Sequence, residues 1–450
     1  MAMAAVLGAA TFTSFGQTTL SGYFVDDYTY RFQMNPAFGN SRNFITIPAL
    51  GNMNIGMHGN LHVSSVLYNV NGKTTTFLNP LVPTSEVLGN IHDVNRIGTD
   101  NAITILAAGW KSWGGYNTLT ISARASAEVH LPGSIFRLLK EGAANKTYDI
   151  GNVDANAFGY AQVALGHSHD INKNLRVGAT LKILVGGAYI NADMKRANLR
   201  LGEDAWEIET DAEIRASLKG LTFDTDVNEH TGHRYVSGAN VDGPGVNGFG
   251  AALDLGAEYK TPVDGLTVSM AFTDLGFINW KNDMLATTGG LKRFTTSKYT
   301  FNVDDNATNS FDNEFDKIRD EISALYELED KGDQGGRTKA LHATMNIGAE
   351  YALPWYKALT FGLLNSTRIA GNFSWTDFRL SANVAPCKVF SAGVNMGMGT
   401  FGFGFGWIAN LHAPGFNLFL GMDRVPGKLA KQGVPLSSNM QVNLGMNILF

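Results

Sequence analysis

Apolar residues recur at every second position through much of this chain, and nowhere do they approach the run of about 18 that a membrane-spanning helix needs. Side chains of a strand alternate between its two faces, so each such segment is a ribbon with an apolar and a polar side. In the last one, Met440, Val442, Leu444, Met446, Ile448 and Phe450 share a face, opposed by Gln441, Asn443, Gly445 and Asn447. Residues 118–129 set Leu119, Ile121, Ala123, Ala125, Ala127 and Val129 against Thr120, Ser122, Arg124, Ser126 and Glu128. Residues 175–185 repeat the pattern, with Arg176 and Lys182 on the polar side. In 206–218 the polar side carries Glu207, Glu209, Asp211, Glu213 and Arg215. Asp254 and Glu258 oppose the apolar face of 249–259, and His342, Asn346 and Glu350 that of 341–353.

Charges so placed are costly in a dry sheet-on-sheet core but ordinary in a wet lumen. Only helices and closed sheets satisfy every backbone group in lipid. If the chain is membrane-embedded, it is therefore a barrel, and its 51 glycines against 12 prolines suit strands and turns. The expected fold is all-β: a transmembrane antiparallel β-barrel of about 14 to 16 strands in the bacterial outer membrane. Arg124, Arg176, Lys182, Glu209, Asp211, Glu213, Asp254, Glu258, Glu350 and Arg379 are its expected lumenal charges.

Topology can be counted back from Phe450. Near Thr400 the apolar phase switches from Phe390, Val394 and Met398 to Phe401, Phe403 and Phe405, which marks a tight turn, because a one-residue slip exchanges faces. With Phe450 at the periplasmic end, the connections at 111–115, 170–174, 261–265, 354–358, 385–388 and 412–415 fall on that side, and all are short. The long ones, about 70–100, 130–156, 220–245, 281–339 and 424–438, fall on the other, with tight turns near 191, 370 and 400. The hairpin over 193–219 counts among the wall strands at the upper limit. Phe311, Phe315, Ile318, Ile322 and Leu325 recur at helical spacing, so an amphipathic helix is expected within 311–330 of the longest external loop. A shorter helix is expected over 134–140, with Ser134 as its cap.

Several chemistries find no support. A lone Cys387 excludes an intrachain disulfide, and 35 basic against 40 acidic residues leave no nucleic-acid footprint. No nucleophile elbow, phosphate loop or metal-spaced cysteine set occurs, so neither an enzyme nor a cofactor is expected. His58 with His62, and His167 with His169, are same-face pairs without further ligands at telling spacing, so no metal is assigned. Residues 1–16 look like the apolar and cleavage regions of a secretory signal, with Ser14 and Gly16 before a cut at Gln17, although a basic start is missing.

Between that leader and the first strand stand Asn35-Pro36-Ala37. This motif resembles the N-terminal region of the long-chain fatty-acid transporter superfamily of outer-membrane barrels, which also includes barrel subunits associated with type IX secretion. Residues 248–259 and 266–280 look like the central hairpin of a Bacteroidetes-type branch with no assigned activity. The resemblance implies a plug over 17–50, a barrel over 51–450, and passage of small hydrophobic or amphipathic molecules. The other reading is a non-transporting barrel that partners a secretion or surface assembly through loop 281–339. Outer-membrane lipids and the barrel assembly machinery are the partners implied either way, with Phe450 as the assembly signal. Pro36 is expected to fix a turn whose backbone Asn35 bonds. A last irregularity lies at Asp274-Leu275-Gly276: the apolar face of Leu266, Val268, Met270 and Phe272 would next present Asp274, unless a β-bulge returns it to the inside.

Overall fold

The computed structural model describes residues 19–142, 146–201, 206–229, 232–295, 316–317, 320–322, 324–425 and 439–450. Alternation along the strands becomes a closed antiparallel barrel of 14 strands. The first wall strand, β1, is broken into Phe44–Thr46 and Asn52–Gly59. Next come β2 (Val94–Ser112), β3 (Gly115–Pro132), β4 (Val153–Asp170) and β5 (Leu175–Leu201). The middle of the wall is β6 (Gly248–Lys260), β7 (Leu266–Trp280), β8 (Ala343–Leu353), β9 (Tyr356–Ile369) and β10 (Trp375–Cys387). It ends with β11 (Phe390–Gly399), β12 (Gly402–Leu411), β13 (Asn417–Arg424) and β14 (Met440–Leu449).

Each wall strand pairs with its neighbours in sequence, and β14 closes the ring against both pieces of β1, with Phe44 opposite Leu449 and Met53 opposite Leu444. Beyond the last register pair, Asn43 N–H donates to Phe450 O at 3.2 Å and Phe450 N–H to Asn43 O at 3.0 Å. Residues 47–51 loop out of the wall between the two pieces, leaving Pro48, Ala49 and Leu50 exposed. Outward residues form an apolar belt that includes Leu165, Ile183, Phe277, Leu363, Phe378, Val394, Phe405 and Leu420, all exposed. Inward residues are mainly small or polar, with large apolar ones such as Leu364, Ile408 and Phe419 where the lumen is filled. Asn443 and Asn447 of β14 are fully buried, so the polar face of the terminal strand looks into the lumen.

The short connections gather at the end where Phe450 lies, and the long ones at the other. Two expectations about the long-loop end need correction. No turn occurs near 191, because β5 runs unbroken to Leu201: its first half pairs with β4 and β6, and its second half with Trp206–Leu218. Trp206–Leu218 is a strand, but it stands beyond the wall, bonded to β5 and to Met284–Thr287 and Lys292–Thr295. The ladder thus continues past the barrel rim, and the upper strand count falls to 14.

The helix at Gly133–Glu141 forms, but Pro132 is its N-cap and Ser134 Oγ instead donates to Asp149 O. Of the helix expected within 311–330, Phe311, Phe315 and Ile318 lie outside the described residues, as does the leader at 1–16. Ile322 and buried Leu325 pack with Ile208 and Phe294 over the strand extension.

Residues 19–43 run inside the barrel, whereas the wall already begins at Phe44 rather than after residue 50. This lumenal segment supplies about half of one large buried cluster: Tyr23, Phe24, Tyr28, Tyr30, Phe32 and Phe38 pack with Phe44, Tyr116, Leu364, Ile408, Phe419 and Leu449. Wall glycines make room for it. A Cβ on Gly178 would stand 2.1 Å from Pro36 O, and one on Gly256 would stand 2.0 Å from Asn35 Oδ1.

Two outcomes follow from the seam and from this close approach. Deleting Phe450 removes both terminal backbone bonds, and the amount of folded barrel, read as heat-modifiable mobility of membrane fractions on gels, should drop several-fold. Gly178→Val forces the Pro36 backbone away, which should destabilise the barrel by about 1–3 kcal/mol in thermal melts and open residues 19–43 to protease.

Candidate binding site at the long-loop mouth

The lumenal segment is tied to the wall mainly by buried polar contacts. Asp423 of β13 accepts hydrogen bonds from Thr19 Oγ1 at 2.6 Å, Leu20 N–H at 2.7 Å, Ser21 N–H at 2.7 Å and Ser21 Oγ at 2.6 Å. Arg379 joins Asp423 at 3.0 Å to Asp377 at 2.9 Å, and Arg424 reaches Asp377 at 3.1 Å, so the anchor is charge-balanced. Tyr28 and Tyr30 hydroxyls donate to Asn443 and Asn447 Oδ1 at 2.9 and 2.7 Å. Arg31 pairs with Asp26, donates to Tyr23 O at 2.9 Å and lies over the Phe38 ring at 4.3 Å. Burial works against its charge, but Asp26, Glu350 and Glu258 outweigh it and raise the guanidinium pKa above its ordinary value. Asn35 Oδ1 accepts from Ala37 N–H at 3.0 Å while its amide donates to Ala257 O at 3.3 Å, so Asn35, Pro36 and Ala37 form a turn held against β6.

Above this segment lies a buried ionic layer. Lys182 of β5 reaches Asp254 of β6 at 2.7 Å and Asp274 of β7 at 2.6 Å, and Arg124 of β3 reaches Asp274 at 2.7 Å. Asp274 gets there through a wall irregularity. The β6–β7 register shifts between Leu253 and Leu255, Asp274 adopts φ +59°, and its N–H donates to Asp254 Oδ1 at 2.7 Å. Leu275 then points outward, and Gly276 O accepts from Leu341 N–H. A second cluster adjoins it: Arg368 grips Asp100 with both terminal nitrogens at 2.7 and 2.8 Å, and Glu128 lies 3.3 Å from His58 and 3.0 Å from His130.

Arg124, Lys182, Asp254 and Arg379 are therefore lumenal partners, and Glu258 and Glu350 face Arg31 across the segment. Arg176 lies near the short-turn end, bonded to Ser168 Oγ at 3.0 Å. Glu209, Asp211 and Glu213 do not line the lumen. They sit on Trp206–Leu218 beyond the wall, where Glu209 pairs with Arg293 at 2.7 Å and Glu213 with Arg215. Alternation placed them on a polar face, and only strand pairing decides whether that face meets a lumen or open solvent.

One opening was not singled out from sequence. A cavity of about 510 Å³ lies at the long-loop end between β4, β5, β7 and the segments 339–342 and 369–373. Its wall is built by three successive cross-strand pairs of β4 and β5 on one face: Asp154 with Asp193, Asn156 with Asn191, and Phe158 with Tyr189. From rim to barrel the lining thus passes from carboxylate to amide to aromatic. Tyr189 stacks on Trp280 with centroids 5.6 Å apart, and Lys339 Nζ lies 5.6 Å from the Tyr189 centroid. Phe158 and His342, edge to face at 4.8 Å, floor the cavity. Burial, with Arg368 nearby, pushes the His342 imidazole down to about 4, so it is neutral at pH 7. The same two side chains also line a space of about 30 Å³ with Arg124, Asp274 and Arg368, which is room for about one water. The sequence signal for the site was the same-face series Asp154, Asn156 and Phe158, whose partners on β5 become known only with the register.

The ionic layer yields a direct test. Asp274→Ala strands Arg124, which has no other carboxylate within 4.0 Å among the described residues, while Lys182 keeps Asp254, and the loss should be about 3–5 kcal/mol in thermal unfolding. Adding Arg124→Met should recover part of that loss, because it removes the stranded cation.

No curated protein shows significant similarity to the chain. Among solved structures, similar chains include the toluene transporter TodX of P. putida, at 8% identity over 92% of this chain and 91% of that one, with a TM-score of 0.36. The toluene transporter TbuX of Ralstonia pickettii shares 7% identity over 97% and 94%, with a TM-score of 0.39. A Pseudomonas aeruginosa FadL homologue shares 9% over 97% and 94%, with a TM-score of 0.40. A family model matches residues 36–423, and the chain therefore belongs to the family of unknown function DUF5723.

Proposed function

We propose that this chain is an outer-membrane barrel that captures small hydrophobic or amphipathic molecules at its long-loop mouth and admits them toward the lumen. The observation that carries this reading is the cavity of about 510 Å³ whose floor and sides are Phe158, Tyr189, Trp280 and Phe373 under a polar rim. The exposed apolar belt suits lipid, the long connections face outside, and the Asn35-Pro36-Ala37 motif fits the hydrophobic-molecule transporter superfamily. Capture precedes passage, because below Phe158 and His342 the route meets the Arg124–Asp274–Lys182–Asp254 layer and then the lumenal segment. Passage accordingly requires these to move, and residues 19–43 act as the plug. No observation favours the partner role through 281–339 over this one.

The reading is tested with 2-phenylethanol, a neutral probe with an aromatic body and a polar end. The purified full chain in mild detergent should bind it by calorimetry, and Phe158→Ala should weaken binding roughly ten-fold. Cells lacking the chain should take up the probe more slowly than cells carrying it. Equal uptake together with no measurable binding overturns the reading.

A further inference from the structure

We propose that the mouth pocket selects ligands carrying a single cationic nitrogen, an ammonium group on an apolar or aromatic body, held with the ammonium at the rim and the body pointing into the barrel. The inference rests on the reading of this pocket as a capture site and names the chemistry it prefers.

Three observations lead to it. The first is the grading of the pocket wall: Asp154 and Asp193 face each other at the rim, and Phe158 and Tyr189 face each other two pairs further in. A ligand that satisfies both ends at once must be cationic at one end and apolar at the other. Charge balance is the second. Of the ionic side chains lining the cavity, Asp154 and Asp193 are negative and Lys339 alone is positive, which leaves one carboxylate in excess. Neighbouring charges do not cancel it, because the cations Arg215, Arg337 and Lys195 are matched by the carboxylates Asp283, Glu213 and Asp211: Arg215 and Arg337 lie 2.7 and 3.5 Å from Asp283, Glu213 is paired with Arg215, and Lys195 lies 3.8 Å from Glu213. Asp154 receives amide hydrogens from Asn191 at 3.4 Å and Asn372 at 3.2 Å, while Asp193 has no ion pair within 4.0 Å among the described residues. Like charges directly opposite on neighbouring strands are destabilising, and a cation between them relieves that cost. The third observation is that the site already holds an ammonium over an aromatic face, with Lys339 on Tyr189. The lining therefore accommodates the chemistry proposed for the ligand, and Lys339 competes with it for the carboxylates.

The test compares three probes of like size by calorimetry on the detergent-solubilised full chain at pH 7: phenethylamine, 2-phenylethanol and 3-phenylpropionate. Phenethylamine should bind about ten-fold tighter than the alcohol, and the carboxylate weaker than both. Asp193→Asn should bring the amine-to-alcohol ratio close to one. Lys339→Met should raise the ratio instead, which a merely structural effect would not do. Heat-modifiable gel mobility verifies that each variant is folded, and Asp154→Asn replaces Asp193→Asn if that variant is not. An amine that binds no tighter than the alcohol, or a ratio insensitive to both substitutions, overturns this proposal and leaves the capture reading standing. Failure of all three probes to bind overturns both.

Discussion

The seam between β14 and the broken β1 is the constraint on which the rest of the molecule depends. Without it the sheet has two open edges, and in lipid every unpaired backbone group there costs several kcal/mol. Closing the sheet does more than satisfy the edges. It turns one face of every wall strand inward, which defines a lumen, and it traps residues 19–43 within it. The last strand shows both consequences at once: Leu444 and Ile448 face outward, while Asn443 and Asn447 bind the hydroxyls of Tyr28 and Tyr30.

That lumen is neither a pore nor a simple hydrophobic core. Toward the short-turn end, aromatic side chains of residues 19–43 pack against wall positions kept small by glycine, with hydrogen bonds at the points where polar side chains meet. Further up, buried acids and bases pair across β3, β5, β6 and β7. Such pairs contribute little net stability relative to well-packed apolar groups, but losing one member is costly because the other is stranded. They close the lumen with charge: no open apolar route runs through the layer, and nothing singly charged replaces one member at low cost. In the function proposed here, capture at the mouth and passage through the barrel are for this reason separate steps.

The mouth owes its character to the two strands that overrun the rim. β4 and β5 remain paired up to Val153 and Met194, beyond the Gly186–Gly248 pair at which β6 begins, so their inward faces continue upward as a wall with the pocket before it. Asp154 and Asp193, Asn156 and Asn191, and Phe158 and Tyr189 form that wall as consecutive rungs of one ladder. A graded surface of this kind comes from register alone and needs no specialised loop.

Much of this was legible in the chain itself. Strict alternation, the lack of a long apolar run and the one-sided distribution of long connections determined the barrel, its inward and outward faces and the separation of its short-turn and long-loop ends, because side-chain period two and the demands of lipid leave few alternatives. The break in phase at Asp274 was legible too, as a position where a carboxylate must either leave the apolar zone or turn inside. Which strands are neighbours was not. Glu209, Asp211 and Glu213 alternate as convincingly as Arg124 or Lys182, yet stand beyond the wall, since a single strand carries no record of what covers its polar face. The mouth pocket was hidden for the same reason: Asp154 and Asp193 are far apart in sequence, and only the ladder between β4 and β5 brings them face to face. Periodicity is a local property and survives in the sequence; pairing is a long-range property, decided when the closing seam and the shared register select one arrangement of the strands.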